Sequence, residues 1–103
     1  LTLPLLAVGA VGVISVAAHW CASEHVAMFD AWEAGDAALA RKINAKLLES
    51  FDFESGDDAP NPVPTKAMLR TIGLRVGEPR LPMGPTPEGL EDRAREVYAR
   101  LKK

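Results

Sequence analysis

The sequence predicts an α/β chain that is itself mostly α: one short buried strand, then helices to the end. Three observations lead there. Gly9-Ala10-Val11-Gly12-Val13-Ile14-Ser15-Val16 is a glycine-led, β-branched run, apolar at successive positions, which suits a strand covered on both faces. Beyond Ala18, apolar residues recur at spacings of three and four, the period of helices packed on a core. No second convincing strand follows, yet one parallel strand cannot satisfy its own ladder, so its neighbours must come from elsewhere. The chain also opens at Leu1, without a Met, directly in apolar sequence. The expectation is a piece of something larger.

Leu1 to Val8 reads as a short helix with Leu3, Leu5 and Leu6 inward, and Gly9 as its stop. Val11 to Val16 is the strand. Ala18 to Ala34 reads as a helix with Ala22, Val26 and Phe29 on its inner face, ended by Gly35. Asp36 is placed to cap the next helix, which runs to about Phe51 with Leu39, Ile43, Leu47 and Phe51 inward and Arg41, Lys42, Lys46 and Glu49 outward. Phe53 to Asn61 is loop, with turn chemistry at Ser55-Gly56-Asp57-Asp58 and prolines at Pro60, Pro62 and Pro64. A helix opens at Pro64 or Thr65, buries Met68, Leu69 and Ile72, and stops at Gly73. Gly77 to Pro85 is an extended strap held by Leu81 and Met83. Thr86 as N-cap and Pro87 at the first helical position start the last helix, with Glu88, Glu91 and Asp92 near its positive end. Its stripe is Leu90, Ala94, Val97 and Leu101, and Lys102 and Lys103 suit its negative end.

Charge narrows the function. Twelve Lys and Arg against fourteen Asp and Glu give a formal net charge of -2, with no clustered basic footprint for nucleic acid or an anionic membrane surface. Leu1 to Ala18 carries no charge and is long enough to consider as a membrane span. It lacks a positive flank, however, and Pro4, Gly9 and Gly12 interrupt it, so buried core is the favoured reading. The one cysteine, Cys21, rules out an internal disulfide and fits a reducing, cytoplasmic setting.

Candidate chemistry is sparse. His19, Cys21 and His25 are the one cluster resembling metal ligands, but His19 and His25 lie about 240° apart around a helix, and no further pair completes a zinc set. Glu54, Asp57 and Asp58 flank Gly56 in an acidic loop whose spacing departs from a calcium loop. Ser15 lacks a nucleophile elbow. Lys66 is an amine at a helix start that could in principle form an imine, with a solvated role favoured. There is no glycine-rich phosphate loop. Neither a metal nor a cofactor is expected, and these residues make no complete active site.

Three motifs in order alter the picture: Gly12-Val13-Ile14-Ser15-Val16, Pro60-Asn61-Pro62-Val63-Pro64-Thr65-Lys66, and Arg80-Leu81-Pro82-Met83. With Glu33-Ala34-Gly35-Asp36, Ala40-Arg41 and Ile43-Asn44 between them, essentially the whole chain resembles the C-terminal third of the dihydrodipicolinate synthase family. The resemblance implies a (β/α)₈ TIM barrel followed by a helical domain. Residues 1–35 would carry the last β/α unit, with Val13 to Val16 as the eighth strand, and residues 36–103 the appended helices. Members of that family condense pyruvate with aspartate semialdehyde through a lysine Schiff base, in the route to diaminopimelate and lysine. Their imine-forming lysine, tyrosine proton relay and carboxylate-binding residues lie upstream, so no catalytic residue carries over. One position does carry over: Ile14 matches the isoleucine whose backbone borders bound pyruvate. The resemblance further implies small-molecule substrates, a homotetrameric enzyme and a cytoplasmic location, with neither nucleic acid nor membrane as partner. His19 stands where the family often has asparagine, and the loop at residues 53–59 is a few residues longer than usual. The alternatives are a related pyruvate aldolase, of the N-acetylneuraminate lyase or keto-deoxy sugar acid kind, and a helical interaction module without catalysis.

Overall fold

A computed structural model describes residues 1–56 and 58–103. It contains α1 (Thr2–Ala7), α2 (Ala18–Glu33), α3 (Ala37–Glu54), α4 (Val63–Thr71) and α5 (Leu90–Leu101), with no strand among the described residues. α2 packs along α3, α5 crosses both α3 and α4, and the short α1 touches α3. The body measures 44 × 26 × 22 Å.

The missing strand is the main departure from expectation. Residues 10–16 run as irregular backbone, and Val11 and Ile14 are almost wholly exposed instead of buried. The cause is the one that the sequence raises. Without a neighbouring strand on either side, the N–H and C=O groups of this run have no ladder to join, so water satisfies them.

α3 agrees with its signals at the start. Asp36 accepts a 2.8 Å hydrogen bond from the Leu39 N–H, the capping geometry its position predicts. The helix then continues one turn past Phe51, to Glu54, and buries Phe53, which the sequence places in a loop. Leu47 is buried, Ile43 and Phe51 are half-buried, and Leu39 is exposed at the solvent edge. Phe53 meets Trp20 edge-on at 6.3 Å, and Trp20 donates to the buried Ser50 hydroxyl at 3.1 Å. The turn and acidic-loop readings at Asp57 lie outside the described residues.

α2 is rotated relative to expectation. Its buried face is Trp20, Cys21, His25, Met28 and Ala31, while Ala22 and Val26 are exposed and Phe29 is half-covered. Both sides of the helix are apolar, and in this chain α3 covers the side carrying Met28. On α1, Leu6 is buried, Leu3 is half-buried and Leu5 is exposed.

α4 starts at Val63, a residue or two earlier than Pro64 or Thr65, and buries Met68 and Leu69 with Ile72 half-covered. α5 buries Ala94, Val97 and Leu101 along the expected stripe. Its start is different: Gly89, at φ 77°, is the N-cap, and neither Thr86 nor Pro87 belongs to the helix. Only glycine accepts that left-handed backbone without strain. Thr86 instead donates to Glu78 and accepts from Arg70. The strap is held by these polar groups, not by apolar anchors. Leu81 is 85 % exposed and Met83 also faces solvent, while Lys66 and Arg70 grip the strap's backbone.

Candidate functional site

Ile14, the one site residue that the resemblance implies, stands at the rim of a cleft of about 340 Å³ between the 10–17 segment and the end of α3. Its walls are Leu1, Thr2, Val13, Ile14, Ser15, Val16, Phe51, Glu54 and Ser55. The Ile14 side chain itself is free in solvent. On the other side of the same segment, Val11, Gly12, Val13, Ala18, Ala22, His25, Val26 and Phe29 line a second, mostly apolar cleft of about 330 Å³. The segment thus divides a polar cleft from an apolar one.

The histidine and cysteine cluster comes apart. His19 is on the surface, its Nδ1 donating to the Val16 carbonyl at 2.7 Å. Cys21 and His25 share the buried face, as their spacing requires. The Cys21 thiol donates to the Ala17 carbonyl at 2.9 Å, at a point where α2 leaves helical geometry (φ -127°, ψ 33°). His25 Nδ1 lies 2.9 Å from the Cys21 carbonyl oxygen and donates to it, which leaves Nε2 as the second ring nitrogen. That Nε2 is buried and has no partner. Burial, with Glu24 nearby, pushes the Cys21 thiol up to about 12, which keeps it protonated and unreactive. Among the described residues, no group of three or more His, Cys, Asp or Glu is placed to hold a metal.

Lys66 is a strap anchor. Its ammonium donates to the carbonyls of Val76 at 3.0 Å and Glu78 at 3.1 Å, which leaves it poorly placed to attack a carbonyl carbon. Arg70, one turn on, donates to Glu91 at 2.7 Å, Gly77 at 2.7 Å and Thr86 at 2.8 Å. The Thr86 hydrogen bond, and then Arg70, lower the Glu78 carboxyl below its ordinary range.

Glu54 is the residue that the sequence reading places in solvent and the structure draws into the cleft. Its Oε2 is buried without a partner, and burial raises its carboxyl above the ordinary range even though the Ala17 N–H and His25 act the other way. The signal was available in the register. Leu47, Ser50 and Glu54 fall at i, i+3 and i+7, so the inward stripe of α3 ends on this carboxyl. No helix among the described residues is long and apolar enough to cross a membrane.

Comparison with known proteins covers the same ground from a different direction. The model of the dihydrodipicolinate synthetase family matches residues 1–102. The chain is 40% identical over 102 residues to a 4-hydroxy-tetrahydrodipicolinate synthase of Parasynechococcus marenigrum, covering 99% of this chain and 33% of the relative. The enzyme of the same name from Microcystis aeruginosa is 43% identical over 101 residues, covering 98% of this chain and 33% of its own. That from Thermosynechococcus vestitus is 47% identical over 83 residues, 81% of this chain and 27% of its own. The chain therefore spans about a third of the length of these curated relatives. No solved structure matches it. With its family model matched from residue 1 to residue 102, the chain belongs to the dihydrodipicolinate synthetase family.

Proposed function

We propose that these residues are the C-terminal third of a 4-hydroxy-tetrahydrodipicolinate synthase, a cytoplasmic lyase that condenses pyruvate with aspartate semialdehyde through a lysine imine. The observation that carries the reading is the similarity to enzymes of that name over 99% of this chain and only 33% of theirs. In that reading residues 1–35 supply the last β/α unit of the barrel and residues 36–103 the helical domain beyond it. The apolar cleft between Val11, Val13 and the Ala22–Val26–Phe29 face of α2 then marks where the rest of the barrel packs. Ile14 borders pyruvate with its backbone, at the carboxyl end of the strand, where barrel enzymes place their sites. The imine-forming lysine belongs to another part of the barrel, in keeping with the engagement of Lys66 by two carbonyls. The full-length enzyme is a homotetramer in this reading, and it needs no cofactor because the imine itself is the electron sink.

Borohydride trapping with labelled pyruvate tests it. The full-length enzyme is expected to take up one pyruvate per subunit on a lysine outside these 103 residues, and the 103-residue chain alone is expected to take up none. Stoichiometric labelling of Lys66, or full-length protein that leaves pyruvate untrapped, would overturn the reading.

A further inference from the structure

His25 is a buried titratable side chain to which the lyase reading gives no part. It is 4% exposed, and its ring stands edge-on to Phe51 of α3 at 5.7 Å. One turn before it α2 is broken, where Cys21 leaves helical geometry. The His25 Nδ1 donates to the Cys21 carbonyl at that break, at 2.9 Å. A side chain that enters the backbone ladder of a helix is one of the few causes of a sharp bend. From Cys21 the hydrogen bonds continue toward the N-terminus. The thiol donates to the carbonyl of the fully buried Ala17 at 2.9 Å, alongside the N–H groups of Trp20 and Cys21, each at 3.0 Å. The Val16 carbonyl then accepts twice from His19, from its N–H at 3.1 Å and from Nδ1 at 2.7 Å. A connected set of bonds thus runs from His25, beside α3, to Val16, which follows Ile14 and Ser15 in the wall of the polar cleft.

We propose that His25 is a positioning residue. Through the break at Cys21 it sets the angle at which the first turn of α2 meets the rest of the helix, and so where the Ile14–Val16 backbone lies. His25 touches no reacting atom; it acts through Cys21 and the 17–20 turn on Ile14. The consequence for pyruvate rests on the lyase reading, whereas the setting of that turn does not.

The experiment compares the full-length protein with its His25→Phe, His25→Asn and His19→Ala variants by amide hydrogen exchange and by steady-state kinetics with pyruvate. Phe keeps the bulk of the ring and loses the donor, whereas Asn fills less of the site and keeps an N–H donor near the place of Nδ1. His25→Phe is expected to speed exchange at residues 16–21 at least tenfold while α4 and α5 keep their rates. It is expected to raise KM for pyruvate several-fold with kcat within twofold. His25→Asn should stay much closer to the wild type in both. Packing alone would give the reverse order, because Asn leaves the larger cavity. Unchanged exchange at residues 16–21 in His25→Phe, an acceleration spread evenly over all helices, or an Asn variant as impaired as Phe would each overturn the proposal. Should neither His25 variant fold, His19→Ala decides, since His19 lies on the surface. Faster exchange at residues 16–21 in that variant supports the connection to Val16, and wild-type exchange overturns it. The localised exchange pattern in a protein that does not take pyruvate would support the positioning and sink the lyase reading instead.

Discussion

Arg70 and Glu91 tie α4 to α5: the Arg70 Nε donates to Glu91 Oε1 at 2.7 Å, and the rest of the guanidinium is shared between the strap and Thr86. The Arg70 side chain is 19% exposed, so these bonds are partly shielded from water. Arg70→Ala is expected to cost about 1–3 kcal/mol by denaturant unfolding, the range for a charge-assisted cluster losing its donor. Arg70→Lys should recover little of it, because one ammonium cannot span Glu91, Gly77 and Thr86 as a planar fork does. Full rescue by Lys would mean that simple charge, not the fork, holds the strap.

The acid limb of stability follows from the carboxyls. Glu78 is lowered by Thr86 and then Arg70, and Glu49 by Arg100. Glu24 is lowered because its Lys102 partner outweighs burial. A carboxyl with a depressed folded value adds stability that is complete above its unfolded value near 4.5 and is lost as pH falls through the folded one. Glu54 has the opposite sign: its raised value adds stability below 4.5 that is lost as pH rises through the folded value. The melting temperature should therefore fall below pH 4.5, less steeply in Glu78→Gln. Glu54→Gln, which does not titrate, should gain on the wild type as pH rises through the raised Glu54 value, because burial disfavours the carboxylate form. A Glu54→Gln variant that melts lower at pH 7 than at pH 4, relative to wild type, would contradict this assignment.

Cys21 is expected to resist alkylation. A thiol pushed up to about 12 holds only about one part in ten thousand as thiolate at pH 8, and the side chain is fully buried. Iodoacetamide labelling in native buffer should track the opening of α2, rising at least a hundredfold in denaturant. Rapid native labelling would show that the α2–α3 packing around Cys21 is looser than its geometry implies.

How much of this was legible depended on whether a residue's environment lay within the chain. Asp36 could be read because a cap is a local device, two to three residues across. The α5 stripe could be read because one face of that helix is charged and the other is not. Thr86 misled because Thr-Pro is a strong start signal, yet Glu78 and Arg70, distant in sequence, claim its hydroxyl and Gly89 takes over the cap. Leu81 and Met83 misled because apolar residues in a strap suggest anchors, whereas the anchors are Lys66 and Arg70, reaching across from α4. For the site, Ile14 is a candidate through resemblance alone, since an exposed isoleucine has no chemistry to announce. Glu54 reads as part of an acidic loop because the turn residues after Phe53 suggest a helix end near Phe51, a turn short of the register it shares with Leu47 and Ser50.

α2 poses the sharpest remaining test, because one of its apolar faces is covered by α3 and the other lines an open cleft. Met28 is fully buried against the helical layer, so Met28→Ala is expected to cost about 2–5 kcal/mol by denaturant unfolding, the range for emptying a core site. Val26 is 58% exposed in the apolar cleft, so Val26→Asp should change the stability of the 103-residue chain by no more than about 0.5 kcal/mol. If residues 1–35 are the last unit of a barrel, as proposed, the same carboxylate in the full-length protein would be trapped without a partner, and the cost should rise to at least about 3 kcal/mol. Equal costs in the two proteins would mean that this face meets the same surroundings in both. The cleft would then not be the seat of the barrel, and the assignment of residues 1–35 to its last unit would fail.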